Sequence, residues 1–379
     1  MTDSASAPPD PHSASNAASE SPSPTPKVWV VMPVRNEGAY IDASLGAVLA
    51  QDYPLETMRV VVVDGLSDDD TQERVQRLAA SSPCPVELVP NPGRIVPTGL
   101  NLVLQRFLAS DAEILVRVDG HCEIAADYVR RCVEHLARAS IAGVGGPITT
   151  LGETPGARVI AAAMASPFGV GGSAFRVGRA HPTLVDTIAF PAYSRRALEL
   201  AGPFDEELMR NQDDEYNYRL RKLGENLLLA PDVRSLYYSR ARLPKLAKQF
   251  FQYGYYKVRV LQKHPRQMRL RQFAPPSFVA ALLGALALTL AGASLHRGLL
   301  PLGILLLALV ALPYLAANLW ATLRTMGAVE GHRLLALTRL PVAFAAMHLG
   351  YGSGFLAGIV GFAGRWGDGA SRPREGSGK

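Results

Sequence analysis

The sequence predicts an α/β domain with a mostly parallel sheet, followed by C-terminal transmembrane helices, and three observations predict it. Short β-branched apolar runs alternate with helical segments over the first half of the chain, an order that builds a parallel sheet covered on both faces. The last third holds long runs without a charged residue, which suits hydrocarbon. Between the two the charge changes sign. Residues 1–233 carry 20 Lys and Arg against 30 Asp and Glu, whereas residues 234–271 carry 11 Lys and Arg and no acid. An acidic front on a basic collar describes a soluble domain standing on a membrane. A nucleic-acid binder would carry its positive charge on the folded domain itself, so nucleic acid is not an expected partner.

Residues 1–26 are mainly Ser, Ala, Pro and Asp and cannot offset chain entropy by burial, so a disordered tail is expected. They lack the basic start and apolar run of a secretion signal, which points the following domain to the cytoplasm. Cys84, Cys122 and Cys132 form no CxxC pair, so neither a disulfide framework nor a zinc ribbon is expected. "KVWVVMPV", from Lys27, reads as a buried strand, "IDASLGAVLAQD" as a helix, and "MRVVVVDG" as the next strand. The alternation continues through a helix from Asp70, the strand "PVELVP", a helix over 98–109, the strand "ILVRVDG" and a helix over 126–139. In such a sheet ligands bind at the carboxyl ends of the strands. Arg35 to Glu37, Asp64, Asn91 to Arg94, and Asp119 to His121 all fall there. The glycine-rich stretch "SPFGVGGSAFRVGRAHP" is too long and polar for core and suits a lid or binding loop.

Residues 277–295 and 298–323 are uncharged runs long enough to cross a bilayer, and 340–364 is a third, interrupted by Gly and containing His348. The collar before the first run carries the Lys and Arg excess expected on the cytoplasmic side. Its "KLAKQFFQYGYYKVRVLQKH" mixes aromatics with cations, as an amphipathic segment lying along the interface does. The runs contain no Asp, Glu, Lys or Arg to mark a transport path.

Several polar groups suit chemistry, and each has a plainer reading alone. Asp119 and His121 flank Gly120, a spacing that lets both reach one divalent ion, but a surface Asp beside a structural His is the simpler account. Asp64 serves equally to cap a turn, with Ser67 or Asp68 to Asp70 capping the helix at Thr71. Arg94 in "NPGR" meets a phosphate or solvent. The cluster "RNQDDEYNYRL" holds Asp213, Asp214 and Glu215, which suit a solvated helix face or a proton acceptor.

Taken in order, "PVRNE", "VVDGLSDDDT", "NPGR" with Asn101, "VDGH", "FDE" and "NQDDEYNYRLRKLG" resemble the family 2 glycosyltransferases of the GT-A fold over residues 27–240. A narrower likeness, to the membrane-attached succinoglycan-biosynthesis glucosyltransferase group called ExoA, rests on "RVDGH", "FDEELMRNQDDEYNYRLRKLG", "QFFQYGYYK" and "MHLGYGSGF". The resemblance implies that Pro33, Arg35, Glu37, Asp64, Gly93, Arg94 and Asp119 hold a nucleotide sugar. Asp119 and His121 take the family's D-x-D place and would bind Mg²⁺ or Mn²⁺, with His replacing the second Asp. Asp213 falls at the general-base position. Glu215 would orient the helix or the acceptor, Asp214 would be solvated, and Arg219 would meet a carboxylate or ligand. Gln212 stands where Glu is usual. Gln249 resembles the start of the Q-x-x-R-W motif of processive relatives, but Gln252 and Tyr253 replace its Arg and Trp, which disfavours processive synthesis.

The implied activity is inverting, metal-dependent transfer of a hexose, glucose from UDP, to a polyprenyl-diphosphate-linked saccharide in bacterial exopolysaccharide or cell-envelope glycan synthesis. The implied setting is the inner membrane, multi-pass, beside other polysaccharide-assembly enzymes and in contact with membrane lipid. The departures at Gln212 and His121 leave an alternative, a catalytically inactive nucleotide-sugar-binding scaffold. The expected partition is a tail at 1–26, the GT-A domain at 27–240, a basic juxtamembrane segment at 241–276, a membrane domain of two to three helices at 277–364, and a tail at 365–379.

Overall fold

The valine-rich runs lie side by side. In the computed structural model, which describes residues 25–239 and 242–366, β1 (Val28–Val34), β2 (Met58–Asp64), β3 (Val86–Pro90) and β4 (Ile114–Arg117) pair in parallel in the order β3-β2-β1-β4. The two expected tails fall almost wholly outside the described residues. Along β1, Val28, Val30, Met32 and Val34 enter one core and Trp29 and Val31 the other, the period of two that a strand imposes. The first core is closed by α1 (Ile41–Leu49), α2 (Thr71–Ala80) and α4 (Tyr128–Leu136). The second is closed by α3 (Val96–Leu108), α8 (Arg195–Ala201) and α9 (Gln212–Lys222).

Beyond β4 the sheet departs from the parallel expectation. β9 (Ala192–Ser194) runs antiparallel between β4 and β6 (Ile141–Gly145), and β10 (Asn226–Leu229) returns parallel to β6 with β8 (Thr183–Leu184) antiparallel on its edge. A second, small sheet joins β5 (Cys122–Ile124), β11 (Ser235–Tyr238) and β7 (Ile148–Leu151) just after Asp119. Strands of two to four residues carry too little periodicity to be read from sequence.

The glycine-rich stretch follows α5 (Pro155–Ala165) and folds into two short turns of helix, α6 (Pro167–Val170) and α7 (Ala174–Val177). Next comes α10 (Leu243–Lys263), formed from the collar. The three apolar helices α11 (Ala274–Ser294), α12 (Leu300–Thr325) and α13 (Arg333–Gly361) are each long and apolar enough to cross a membrane. α11 and α12 form a hairpin whose leucines face outward, among them Leu286, Leu290, Leu305, Leu309 and Leu312. α13 behaves differently. It runs parallel to α10, and the seam is made by small residues: a Cβ on Gly354 would lie 2.0 Å from the Phe251 carbonyl oxygen, and one on Gly254 2.0 Å from that of Tyr351. Val159, Ile160 and Met164 of α5 share one core with Leu246, Ala321, Leu340, Phe344 and Met347, so apolar packing joins α12 and α13 to the α/β domain.

Candidate active site

Three loops leave the carboxyl ends of β1, β2 and β3 and are stitched together. Gly65 N donates to the Val34 carbonyl at 2.8 Å and Asn91 N to that of Asp64 at 2.7 Å. Each loop holds one non-glycine residue in the left-handed region: Asn36 at φ 56°, Leu66 at 57° and Arg94 at 58°. The other two such residues among those described, Phe190 and Asn211, precede β9 and cap α9. Strained backbone gathered at one end of a sheet marks a functional surface.

The expected nucleotide residues divide into those that build the cleft and those that face out. Asp64 is buried and accepts from Ser67 N at 2.9 Å and Gln72 Nε2 at 2.6 Å, so it shapes the β2 loop. Asn36 reaches across to this loop, with its N donating to Ser67 Oγ and its Oδ1 accepting from Asp68 N. Pro33 pairs with Val63 inside the sheet, and Gly93 passes so close to Thr98 that a Cβ would lie 2.5 Å from its Oγ1. Arg35 and Arg94 are exposed on the two flanking loops.

Asp119 and His121 follow β4. Asp119 Oδ1 accepts from Arg117 Nε at 2.9 Å, and its Oδ2 makes no hydrogen bond among the described residues. His121 Nδ1 donates to Glu37 Oε1 at 2.8 Å, and the ring stands edge-on to Tyr237 at 4.9 Å. Gly120 makes this possible, because a Cβ there would meet the Glu37 side chain at 2.9 Å. A carboxylate that fixes the proton on Nδ1 leaves the lone pair on Nε2, the support given to metal-binding imidazoles. Among the described residues no group of three or more His, Cys, Asp or Glu gathers for a metal. Two such donors fit a cation completed by phosphate oxygens and water, as Mg²⁺-type sites are, and do not fit a closed protein cage.

Arg117 is the residue that sequence reasoning missed, hidden inside an apolar strand. It is buried at the end of β4 on the face covered by α9, and its charge acts on both Asp119 and Asp213. Asp213 stands half-buried in the first turn of α9. Burial pushes its carboxyl above the ordinary carboxylate value; Arg117 pulls it back, and Asp214 and Asp119 push it up again. Asp213, Asp119 and Arg117 therefore lie within electrostatic reach of one another.

The rest of the acid cluster has a different use. Asp214 was expected in solvent, and the structure corrects this: it accepts from the ammonium of Lys257, which is buried in α10, and from Gln267 Nε2 at 2.7 Å. Glu215 is buried and accepts from Arg219 Nη2 at 2.7 Å and His264 Nε2 at 2.9 Å. Burial alone would raise its carboxyl, but the His264 and Arg219 hydrogen bonds hold it below the ordinary value. Arg219 pairs with this carboxylate and stacks over Tyr216, and Gln249 is buried, donating to the Tyr253 hydroxyl at 2.7 Å. The collar itself is turned inward: Arg259 donates to Glu207 at 3.0 Å, Lys263 pairs with Asp205 and Glu207, and Arg365 pairs with Glu207 at 2.6 Å. The collar's central cations thus bind α10 to the domain's acidic loop, where an interfacial segment had been expected.

In the glycine-rich stretch, Phe168 packs edge-on to Phe344 and His348 of α13. Arg176 lies over Tyr237, the ring beside His121, and its Nη1 is buried without a hydrogen-bond partner. Arg179 and His181 are exposed.

Comparisons with known proteins bear on the family and the fold. The family model described as "Glycosyl transferase family 2" matches residues 29–199. The succinoglycan biosynthesis protein ExoA of Rhizobium meliloti (strain 1021) is 32% identical over 264 residues, covering 68% of this chain and 77% of that protein. A dolichyl N-acetyl-alpha-D-glucosaminyl phosphate 3-beta-D-2,3-diacetamido-2,3-dideoxy-beta-D-glucuronosyltransferase of Methanococcus voltae is 26% identical over 243 residues, 62% of this chain and 74% of that one. In fold, the chain is similar to a mannosyltransferase from Pyrobaculum calidifontis solved in complex with GDP-Man and Mn²⁺, with a TM-score of 0.51 and 24% identity over 86% of this chain and 87% of that one.

Proposed function

This chain belongs to the family 2 glycosyltransferases, and from that premise we propose that it moves a hexose, glucose from UDP-glucose, with inversion onto a lipid-linked saccharide in bacterial exopolysaccharide or envelope glycan synthesis. The carrying observation is the buried Arg117 acting on Asp213 and Asp119 together. Inversion requires the acceptor oxygen to enter opposite the leaving diphosphate. Asp213 accepts the proton of the acceptor hydroxyl as its oxygen bonds to the anomeric carbon. The bond from that carbon to the diphosphate breaks, and its electron pair leaves with the nucleotide. Asp119 and His121 would hold Mg²⁺ or Mn²⁺, which when bound supplies positive charge to the leaving diphosphate. Arg117 orients Asp119 through its hydrogen bond, and Arg35 and Arg94 offer exposed guanidiniums to the nucleotide's phosphates.

The lipid-linked acceptor is supported by the three apolar helices and by the Methanococcus relative, whose name specifies a dolichyl-phosphate-linked sugar. The ExoA likeness supports the exopolysaccharide setting, with the domain on the cytoplasmic face of the inner membrane. The test is incubation of membranes containing the full chain with labelled UDP-sugars, Mn²⁺ and a bacterial lipid extract. Label should appear in a lipid-extractable saccharide; folded protein that transfers none to any lipid-linked glycan would refute the proposal.

A further inference from the structure

A cavity of about 320 Å³ opens between the glycine-rich stretch, the end of α9 and the segment leading into α11. Arg179, Arg221, Arg269 and Arg271 line it, with Asp186 and Glu225. Both acids are already paired, Glu225 with Arg196 at 2.6 Å and Asp186 with Arg269 at 3.0 Å. Arg179, Arg221 and Arg271 have no carboxylate partner among the described residues. Arg221 stacks over Tyr218, and its Nε is buried without a hydrogen-bond partner among the described residues. Three guanidiniums without a carboxylate around one cavity offer a site to an anion, and their planar forks suit phosphate oxygens.

The position of the cavity selects the kind of anion. Arg269 and Arg271 flank Leu270, which is 90% exposed and begins the first apolar stretch. Arginines at the mouth of a span lie at the level of lipid phosphates. Arg221 is seven residues from Asp214 on α9, about 10 Å along the axis and on the face that Asp214 turns toward Lys257 of α10, so the cavity lies at the opposite end of α9 from Asp213.

We infer that this arginine cavity is a binding site for the phosphate or diphosphate of a membrane lipid, separate from the pocket for the nucleotide. The inference rests on the lipid-linked acceptor proposed above, since that acceptor carries such a group. It places the head of the lipid at the foot of α9 and leaves its sugars to extend toward Asp213.

The test uses the full chain in neutral phosphatidylcholine nanodiscs, with and without a polyprenyl diphosphate or phosphatidylglycerol, and with inorganic diphosphate in solution as a separate arm. Wild type should be stabilised thermally by lipid-borne phosphate. Arg221→Gln, and the more exposed pair Arg179→Gln with Arg271→Gln, should each weaken that binding tenfold or more, by roughly the loss of a charge-assisted hydrogen bond. Acceptor KM should rise in step while kcat and donor KM stay unchanged. A response to phosphatidylglycerol equal to that of the polyprenyl diphosphate also supports a lipid-phosphate site. Unchanged lipid binding in both variants would overturn the inference, as would soluble diphosphate binding as tightly as the lipid-borne group. Stabilisation by UDP-sugar with Mn²⁺, followed in the same samples, reports on the nucleotide pocket alone and separates failure of this site from failure of the glycosyltransferase reaction.

Discussion

At the scale of single residues the proposed chemistry turns on Arg117, a buried cation that offsets the repulsion between Asp119 and Asp213. The remaining desolvation has a measurable cost. A carboxyl whose folded value is raised binds its proton more tightly in the folded state, so its contribution is most favourable at low pH and declines as pH rises through that value. Asp213→Asn should therefore be more thermally stable than wild type at neutral pH, with the difference shrinking toward acid; differential scanning calorimetry in detergent checks this. Lys257 acts one step away. With its ammonium removed, Asp214 presents an uncompensated negative charge beside Asp213 and raises it further. Lys257→Gln should shift the acidic limb of the kcat/KM profile to higher pH, whereas a purely structural loss would lower the whole profile without moving the limb. Asp119 and His121 stood out in the sequence as polar groups at a strand end, and Asp213 stood out in an acidic cluster through the family resemblance. Arg117 did not, since a cation inside "ILVRVDG" looks like any strand residue, and Asp214 was misjudged because its partner lies 43 positions away.

Among the elements, α9 is stabilised at both ends by its own sequence, with Asp213, Asp214 and Glu215 in the first turn and Arg219, Arg221 and Lys222 in the last, matching the helix dipole. What fixes it in place is α10. Asn211 Nδ2 donates to the Tyr253 carbonyl at 2.9 Å, and Lys257, Arg259, Lys263 and His264 engage acids from Asp205 to Glu215. Glu207 shows the strength of the association: burial would raise it, yet hydrogen bonds from Lys263 and Arg259 bring it down to about 2. α10 is held in turn by the glycine seam with α13. Gly354→Val forces a Cβ into the Phe251 carbonyl and should cost about 1–3 kcal/mol or more, lowering both melting temperature and transfer rate while Ser353→Ala, a neighbour on the same helix, changes little. The "QFFQYGYYK" and "MHLGYGSGF" stretches stood out in the sequence, and the structure shows that each contributes a face of this seam. Their pairing was not legible, because helix partners about 100 residues apart leave no local signal.

For the molecule as a whole, the acidic front and basic collar are two halves of one interface. The change of charge sign is plain in the sequence, and the inward turn of the collar is not, because composition does not say which cations are buried. The third apolar run differs from the hairpin: Leu340 in its first half shares a core with Ile160 of the α/β domain, and just beyond its end Arg365 pairs with Glu207. These ties predict that the end of α13 lies on the side of the α/β domain. A single cysteine at Ala363, in a chain with Cys84, Cys122 and Cys132 replaced by Ser, should react with an impermeant maleimide only from the side carrying the α/β domain. The measurement that bears most directly on the shared site compares Asp213→Asn with Asp119→Asn for two quantities, turnover and affinity for UDP-sugar with Mn²⁺. Asp213→Asn should lose about 10²–10⁴-fold in kcat with donor affinity intact, and Asp119→Asn should lose both. Turnover near wild type in Asp213→Asn, or donor binding untouched in Asp119→Asn, would contradict the assignment of a proton acceptor and a metal ligand to one reacting centre.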